Sequence, residues 1–337
     1  MLKSVPHVVL NGPSLKAART EDVKFSPTGR LLAVVATNGS IFLFAVDTCS
    51  RPIRIDRCTE LRSTSLSAPH GIDFLSEDVV VVANRSGWVT FYRIPSVNAW
   101  EERMNVEPIH EMESVWFGRK GATRVLGERT IRCGPGSVRV RDQQLFVCCN
   151  NSNTVTVHGY QLQQGAIETS DGTVVAQAEV EIPDGVALSR YGRWMAVSDH
   201  HHHRVIVHRR ADKTQPCVLR DVDLSYPHGL CFDPTGRVLY VADAGERYVH
   251  VFVSASGWDK STDRSTFKIL AVDADAFDRT RKSKPGPNSA LEGGIKGIDV
   301  DPSGRIVATT CRHQTLRFFE SESEMLLIDG SLTAAAI

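Results

Sequence analysis

The chain has 337 residues, of which 42% are hydrophobic and 23% charged, a composition that is typical of folded globular proteins and argues against a wholly disordered chain. Lysine and arginine together number 39, as do aspartate and glutamate, so the formal net charge at pH 7 is zero. Because phosphate neutralisation supplies most of the affinity of nucleic-acid-binding proteins, a chain without a basic surplus is not expected to bind nucleic acid as its main function.

The N-terminal segment, MLKSVPHVVLNGPSLK, contains no apolar run longer than Val8–Leu10, and no stretch of the chain is apolar for long enough to cross a bilayer. Eight cysteines are present, none of them in a Cys-x-x-Cys pair. The adjacent Cys148 and Cys149 lie in a strand pattern, where neighbouring side chains point to opposite faces, so we expect buried thiols that do not pair with each other. These features predict a cytoplasmic protein that does not associate with membranes.

Six segments of the chain repeat one pattern, and they begin at Glu21, Pro69, Pro135, Pro183, Pro227 and Ile295. The segment at 227–253, PHGLCFDPTGRVLYVADAGERYVHVFV, shows the order: a short apolar strand, a tight turn, a run of β-forming residues and an alternating strand. In the turns SPTGR, DPTGR and DPSGR, proline presets φ and glycine supplies the left-handed conformation that closes a hairpin. Self-similarity of this kind indicates a repeat architecture.

A fourth strand is predicted before the next repeat, at 52–56, 173–182, 217–224 and 267–273. Four antiparallel strands repeated in this way predict an all-β fold, a six-bladed β-propeller of four-stranded antiparallel blades in one domain over residues 1–337. The blade cores are expected near 21–56, 69–130, 135–182, 183–224, 227–273 and 295–330. Strands at 7–11 and 325–329 are the two candidates for closing the ring.

These repeats resemble those of NHL-type and gluconolactonase-like six-bladed propellers over nearly the whole chain. Such propellers include lactonases, lyases and pure interaction modules, so the fold alone does not define a function. The gluconolactonase-like resemblance implies a divalent cation held by a glutamate of the first blade with later Asn and Asp residues, and Glu21 and Asp184 match in kind. The family's asparagine is replaced by His70, Gly136 or His228, and its first-blade Glu-Gly-Pro motif is absent. The Pro-His-Gly pattern instead resembles the amidating lyases, which hold zinc through histidine.

In a four-stranded meander, the loop that enters the innermost strand and the loop that joins the second and third strands lie on the same face. The residues that enter the innermost strands therefore surround one mouth of the central channel, and they are Glu21, His70, Gly136, Asp184, His228 and Lys296. Residues at the ends of the second strands approach the same mouth, and we interpret four of them as ligand-binding residues: Asn84, Asn150, Asp199 and Asp243. This arrangement predicts a polar ligand pocket.

Two histidines and two carboxylates that converge on one axis would suit a divalent ion. Glu21, His70, Asp184 and His228 are therefore the predicted metal ligands, and zinc, iron, manganese or calcium is the candidate cofactor. In the alternative interpretation, the two histidines only shape turns by bonding a neighbouring backbone carbonyl.

The run His200–His203 follows the second strand of blade four. Consecutive loop residues point in different directions, so at most two can reach one ion, and a solvated turn is the preferred interpretation. His200 is nearest the strand end and is expected to lean inward, where it joins Lys296 as a candidate catalytic acid or base. Residues 95–130 are expected to enlarge blade two, and residues 274–293 to form an irregular loop on the mouth face, because no segment has a strong amphipathic-helix pattern.

Two functions follow from this pattern. The first is a binding or interaction scaffold that holds a small molecule or a protein at the channel mouth. The second is a metal-dependent hydrolase or lyase, similar to lactonases, esterases or amidating lyases, that uses the same residues with one divalent ion. The neutral charge and the irregular ring of mouth residues favour the first.

Overall fold

The computed structural model describes residues 4–5, 7–9, 18–113, 133–177, 179–211, 215–283 and 291–321. The strands of the first half are β1 (Ser4–Val5), β2 (His7–Val9), β3 (Thr20–Phe25), β4 (Leu31–Ala36), β5 (Ser40–Asp47), β6 (Ile53–Arg62), β7 (Pro69–Ser76), β8 (Val79–Asn84), β9 (Trp88–Arg93), β10 (Arg103–Asn105), β11 (His110–Glu113), β12 (Pro135–Arg141), β13 (Gln144–Cys149), β14 (Thr154–Gln163), β15 (Ala166–Thr169) and β16 (Thr173–Gln177). The elements of the second half are β17 (Pro183–Leu188), β18 (Trp194–Asp199), β19 (Arg204–Arg209), β20 (Cys217–Leu219), β21 (Pro227–Phe232), β22 (Val238–Asp243), β23 (Tyr248–Val253), β24 (Phe267–Leu270), α1 (Ala274–Lys282), β25 (Gly297–Val300), β26 (Ile306–Cys311) and β27 (Gln314–Glu320).

The strands form six small sheets in a ring, which confirms the predicted six-bladed β-propeller. The blades are built from β3–β6, β7–β9 with β11, β12–β14 with β16, β17–β20, β21–β24, and β25–β27 with β1. The innermost strands β3, β7, β12, β17, β21 and β25 each contact the next, and β25 returns to β3 to close the circle.

The N-terminal strands cross the junction between the last blade and the first. Strand β1 pairs antiparallel with β27, with Ser4 opposite Phe319, and so completes blade six. Strand β2 pairs parallel with β6 at the outer edge of blade one, with His7 opposite Ile53. The strand predicted at 7–11 therefore extends blade one, while the residues just before it complete blade six. The alternative closing strand at 325–329 lies outside the described residues.

The turns between the first two strands of the blades adopt the predicted geometry. Gly29, Gly236 and Gly304 have φ of +73°, +72° and +77°, which an L-residue rarely adopts. In the last two of these turns, an aspartate precedes the proline and accepts hydrogen bonds from backbone N–H groups across the turn, as Asp301 does from Ile306 at 2.8 Å. Such capping fixes where the innermost strand ends and the second strand begins.

The core lies between blades, because the middle strands are buried on both faces. On β4, Leu32 and Val34 pack into the cluster shared with blade six, while Ala33 and Val35 pack into the cluster shared with blade two. Cys148 and Cys149 likewise enter different clusters, as expected of neighbours on a strand. None of the eight cysteines, all of which lie in the described residues, forms a disulfide, and seven of them are buried, with Cys49 exposed.

The expectation of an irregular loop over 274–293 is wrong in its first half, where helix α1 forms. Its buried side chains are Ala276, Phe277 and Thr280, and the first two join the core between blades five and six. The sequence does not reveal this helix because most of its remaining residues are charged and its apolar face is narrow.

Part of the insertion at 95–130 contributes to blade one as well as to blade two. Strand β10 pairs parallel with β6, while β11 completes blade two. Trp100 is buried between the two blades and its indole N–H donates to the Pro95 carbonyl at 2.8 Å. The rest of the insertion, 114–130, lies outside the described residues. In the described part of the chain, no helix has the length and apolar character needed to cross a membrane.

Candidate ligand site at the channel mouth

Bulges in the innermost strands place the mouth residues. The pairing register shifts between Thr20 and Asp22 in β3, and at the equivalent point of β7, β12, β17 and β21. A bulge inserts one unpaired residue and redirects its side chain, so these shifts turn the mouth residues away from the blade and toward the axis. The sequence-predicted ring is therefore brought together by a repeated distortion of the strands.

Glycine follows the mouth residue in four blades because the next innermost strand passes very close. A Cβ at Gly185 would lie 2.0 Å from the carbonyl oxygen of His228, and one at Gly229 would lie 2.5 Å from that of Lys296. Contacts this short with backbone cannot be relieved by a side-chain rotation. The glycine of the Pro-His-Gly motif thus allows neighbouring blades to pack at the axis.

The histidine of the same motif bonds the neighbouring blade. The Nδ1 atom of His70 lies 2.6 Å from the Gly136 carbonyl oxygen, and that of His228 lies 3.1 Å from the Lys296 carbonyl oxygen. This is the backbone bond of the turn-shaping interpretation, but it also orients both rings. The two ring centroids lie 4.9 Å apart, and the Nε2 atoms approach Glu21 Oε2 at 3.2 and 3.7 Å.

Glu21 lies at the centre of the mouth and is fully buried. Its carboxylate is 2.9 Å from Lys296 Nζ and 2.5 Å from Arg19 Nε. Burial opposes its ionisation, but the charge of Lys296 and the contact with His70 outweigh burial and hold the pKa of Glu21 well below its usual value. The mouth therefore contains a permanent negative charge.

His228, in contrast, is uncharged at neutral pH. Burial and the positive charge of Lys296 lower the pKa of His228 well below its usual value. A neutral imidazole has one N–H, and a carbonyl oxygen can only accept, so the proton of His228 is on Nδ1. Its Nε2 lone pair then faces the carboxylates of Glu21 and Asp184, at 3.7 and 4.0 Å. The Nε2 lone pair and the two carboxylates are all hydrogen-bond acceptors, so a cation or a hydrogen-bond donor placed between them would be stabilised.

Asp184 forms the other side of the mouth. Arg85 donates to it at 2.8 Å, the Asn150 amide donates to the same oxygen, and His200 Nδ1 lies 3.4 Å from the second oxygen. Burial raises the pKa of Asp184, but the charges of Arg85 and then His200 outweigh burial and lower it far below its usual value.

Glu292 joins the two sides. Its carboxylate lies 3.0 Å from Lys296 Nζ and 3.5 Å from His200 Nε2. Burial lowers the pKa of His200, but Glu292 and Asp184 outweigh burial and raise it above the ordinary value. Glu292 and Arg85 were not among the residues predicted from the sequence. Glu292 stands four residues before Lys296 at the end of the 274–293 insertion, and Arg85 directly follows the predicted Asn84, so position alone could have indicated both.

The structure brings one of the four predicted ligand-binding residues, Asn150, to this cluster. Asn84 donates within blade two, to Thr90 Oγ1 at 3.0 Å. Asp199 accepts from the Glu181 backbone N–H at 2.9 Å, and Asp243 accepts from that of Ser225 at 2.8 Å. These three residues end the second strand of their blades, which lies further from the axis than the innermost strand. Their side chains therefore bond partners within their own blades.

Several buried atoms of the mouth have no well-directed hydrogen bond within the described residues. They are both carboxylate oxygens of Glu21, the Oδ1 atom of Asn150 and the Nε2 atoms of His70 and His228. Ion pairs with Lys296 and Arg19 compensate the charge of Glu21. Buried polar atoms are nearly always bonded in folded proteins, so the two Nε2 atoms and the Asn150 oxygen leave this group chemically incomplete. One carboxylate oxygen and the two Nε2 atoms lie within 4.8 Å of one another, a donor set that zinc, iron and manganese accept.

Deeper in the channel, a second layer of charges is well paired, and we call Asp22, Lys24, Arg139 and Asp299 the channel plug. Lys24 donates to Asp299 at 2.6 Å, and Arg139 donates to Asp22 at 3.0 Å. Beyond the plug, the turns that follow the innermost strands surround a cavity of about 420 Å³ at the other end of the channel. The plug separates that cavity from the mouth residues, which do not line it.

Comparison with known proteins supports the fold and goes no further. No protein-family model matches the chain, and no curated protein matches it. A chain in the crystal structure of a nidogen/laminin complex is similar to it, with a TM-score of 0.50 and 13% identity over 75% of this chain and 80% of that one. Likeness at this identity shows a shared propeller fold alone. The resemblance to NHL-type and gluconolactonase-like propellers stays a prediction.

Proposed function

We propose that the chain is a propeller scaffold that binds a small polar ligand at the channel mouth. The observation that carries this proposal is the group of buried mouth atoms that lack hydrogen bonds. An unsatisfied buried polar atom costs about 1–3 kcal/mol, so a ligand that completes several such bonds is favoured. The incomplete atoms indicate its chemistry, because the carboxylate oxygens of Glu21 and the lone pair of His228 are acceptors. The expected ligand therefore presents donors, as an ammonium, a hydroxyl group or a cation does.

The rim supports a ligand that is larger than one ion. Arg85 has 40% of its side chain exposed, and Glu292 has 14% exposed. These two charges have opposite sign and flank the buried cluster, so they are suited to contacts with a zwitterionic or hydroxylated molecule.

The experiment compares ligand binding by wild-type protein and a Glu21→Gln variant, with Glu168→Gln on β15 as the control at an exposed carboxylate. The probes are ethanolamine, glycerol, glucose, amino acids and lactones, screened by thermal denaturation and followed by calorimetry. We expect a probe that raises the denaturation midpoint of wild type and the control, and whose affinity falls at least tenfold in Glu21→Gln. Equal affinity in both variants, or no binding by any of these probes, overturns the proposal.

A metal-dependent hydrolase or lyase is the second candidate, and the Nδ1 bonds of His70 and His228 favour it. Histidines that bind metal usually donate their other N–H to a carbonyl or carboxylate, which fixes the lone pair toward the ion. Glu21, His70 and His228 would hold the ion, with Asp184 beside them. A bound divalent ion would polarise a carbonyl or activate water. His200, whose pKa is raised by Glu292, is suited to donate a proton.

Lys296 opposes this second candidate, because its ammonium already lies 2.9 Å from the carboxylate that would bind the ion. Elemental analysis of tag-free protein purified without chelator separates the two. One equivalent of metal that is absent from both Glu21→Gln and His228→Gln supports the enzyme, and ester or lactone hydrolysis by the loaded protein then tests it. Absence of metal from wild type after dialysis against Zn²⁺ and Mn²⁺ overturns it.

A further inference from the structure

A second group of metal-binding side chains lies at the surface of blade four, apart from the channel mouth. Glu181 precedes β17, and His201 and His202 lie in the turn between β18 and β19. The Nε2 atom of His201 is 4.0 Å from Glu181 Oε1, and that of His202 is 3.7 Å from Glu181 Oε2. One ligand atom from each residue lies within 4.8 Å of the others. The two imidazoles also meet edge to face, with ring centroids 5.2 Å apart.

A buried carboxylate orients His202. Its Nδ1 lies 3.0 Å from both oxygens of Asp199, which is fully buried and also accepts from Arg204 Nε at 2.7 Å. Because an ionised carboxylate can only accept, Nδ1 carries the proton, and in the neutral ring the Nε2 lone pair faces Glu181. A carboxylate behind a histidine is the usual support for a metal ligand, since it fixes the ring and raises its basicity.

The same carboxylate also positions the other two ligands. Asp199 accepts the backbone N–H of Glu181 at 2.9 Å, and the His201 N–H donates to the Glu181 carbonyl at 3.3 Å. The two loops that carry the ligands are therefore joined before any ion binds. Stabilisation by ion pairing does not explain the arrangement, because the side chains are 43–57% exposed and exposed pairs contribute little.

We propose that Glu181, His201 and His202 form a surface site for a transition-metal ion, and that Zn²⁺ is its best-matched occupant. Imidazole and carboxylate ligands at about 2.0–2.2 Å in a tetrahedral arrangement stand roughly 3.4 Å apart, which requires only small rotations of exposed side chains here. Three protein ligands leave one position open to water or to a group from another molecule. The proposal uses none of the mouth residues and is independent of the function proposed above.

The run of four histidines is thereby divided by role. His200 turns inward to Asp184 and Glu292, and His203 accepts the Tyr226 backbone N–H at 2.9 Å. His201 and His202 are the remaining two, and both face Glu181. This agrees with the expectation that at most two members of the run can reach one ion.

The test is calorimetric titration of Zn²⁺ into the full-length protein, with its purification tag removed and its metal stripped by chelator and desalting. We expect one equivalent whose affinity falls at least tenfold in each of His201→Ala, His202→Ala and Glu181→Gln. His110→Ala is the matched control, because that histidine lies on the outer strand of blade two, bonds Thr169 on β15 of the next blade, and should not affect Zn²⁺ binding. Circular dichroism should show the same fold in all variants, since the three ligands are exposed.

The Glu21→Gln variant distinguishes Zn²⁺ bound at this surface site from Zn²⁺ bound at the channel mouth. It should retain the one equivalent of Zn²⁺ bound at the surface, whether or not the mouth binds metal. Asp199→Asn should weaken that equivalent about 10–100-fold if it still folds, as loss of a supporting carboxylate usually does. The proposal is overturned if wild type binds no Zn²⁺ beyond what Glu21→Gln removes, or if His202→Ala and Glu181→Gln bind as tightly as wild type.

Discussion

Two layers of charged residues follow each other along the channel, and they differ in how well their hydrogen bonds are satisfied. In the channel plug, all charged atoms except Arg139 Nε have a hydrogen bond of ordinary length. In the mouth layer, the carboxylate of Glu21 is held by ion pairs with Lys296 and Arg19, whereas the Nε2 atoms of His70 and His228 have no well-directed hydrogen bond within the described residues. Both layers are buried, so burial does not distinguish them. The contrast supports a structural role for the plug and is the reason for proposing a ligand at the mouth.

The largest expected effect tests the structural half of this comparison. Asp22→Ala removes the carboxylate bonded to Arg139, a side chain that is only 4% exposed. Loss of one partner of a buried ion pair typically costs 3–5 kcal/mol, and we expect a decrease of about that size in the free energy of unfolding, measured by urea denaturation. Asp263→Ala, at an exposed aspartate, is the control and should change stability by less than about 0.5 kcal/mol. If Asp22→Ala lowers the free energy of unfolding by less than about 1 kcal/mol, the plug does not stabilise the fold as inferred here.

A smaller effect is expected where the mouth depends on backbone packing. Gly185→Ala places a Cβ against the His228 carbonyl, and overpacking of this kind costs about 1–3 kcal/mol. Gly159→Ala on β14 is the matched control, because its Cβ would meet only the Ser170 side chain at 3.2 Å. Thermal denaturation of both variants measures the difference. If the two midpoints fall equally, the close approach at the axis is not what requires glycine.

The smallest expected effect is the pH dependence of stability that comes from the lowered pKa of His228. The folded pKa of His228 lies below its value of 6.5 in the unfolded chain, so as pH falls below 6.5 the unfolded state takes up a proton that the folded state does not. The stability that comes from keeping His228 neutral is present above pH 6.5 and decreases toward acid, by up to about 1.4 kcal/mol per pH unit.

This pH dependence is measured by urea unfolding of wild type and His228→Gln at pH 7.5, 6.5 and 5.5. We expect the wild-type protein to lose more stability than the variant between the last two values. Parallel slopes would mean that His228 takes up its proton at the same pH in the folded and unfolded states, which would contradict the lowered pKa of His228.

The sequence predicted the positions of the mouth residues well because one local rule is repeated in every blade. The mouth residue always follows the same loop and enters the innermost strand, so His70, Asp184, His228 and Lys296, each before a glycine, and Glu21, before Asp22, could be assigned to one ring. Distances between blades are not repeated in this way. The short contacts of Lys296 with Glu21 and of His200 with Glu292 depend on where separate loops meet, and no spacing in the sequence encodes that.

The residues at the ends of the second strands show where the rule fails. Asp199 and Asp243 occupy equivalent positions and were expected to face the mouth, yet both cap loops of their own blades. A side chain one strand away from the axis reaches backbone N–H groups in its own turn before it reaches the channel, and those groups need partners. Helix α1 was missed for a different reason, because it is only nine residues long, most of them charged, and it buries only two apolar side chains.

The two N-terminal strands join the first blade of the ring to the last. Residues 4–5 hold blade six and residues 7–9 hold blade one, so a segment of six residues bridges the only junction where neighbouring blades are not consecutive in the chain. Pairing between opposite ends of a chain has a high entropic cost and forms late, so during folding we expect this junction to close after the other five. A load that pulled β1 and β2 from their partners would open the circle there first. The mouth would then separate between Glu21 of blade one and Lys296 of blade six, which links the integrity of the outer edge to the cluster on the axis.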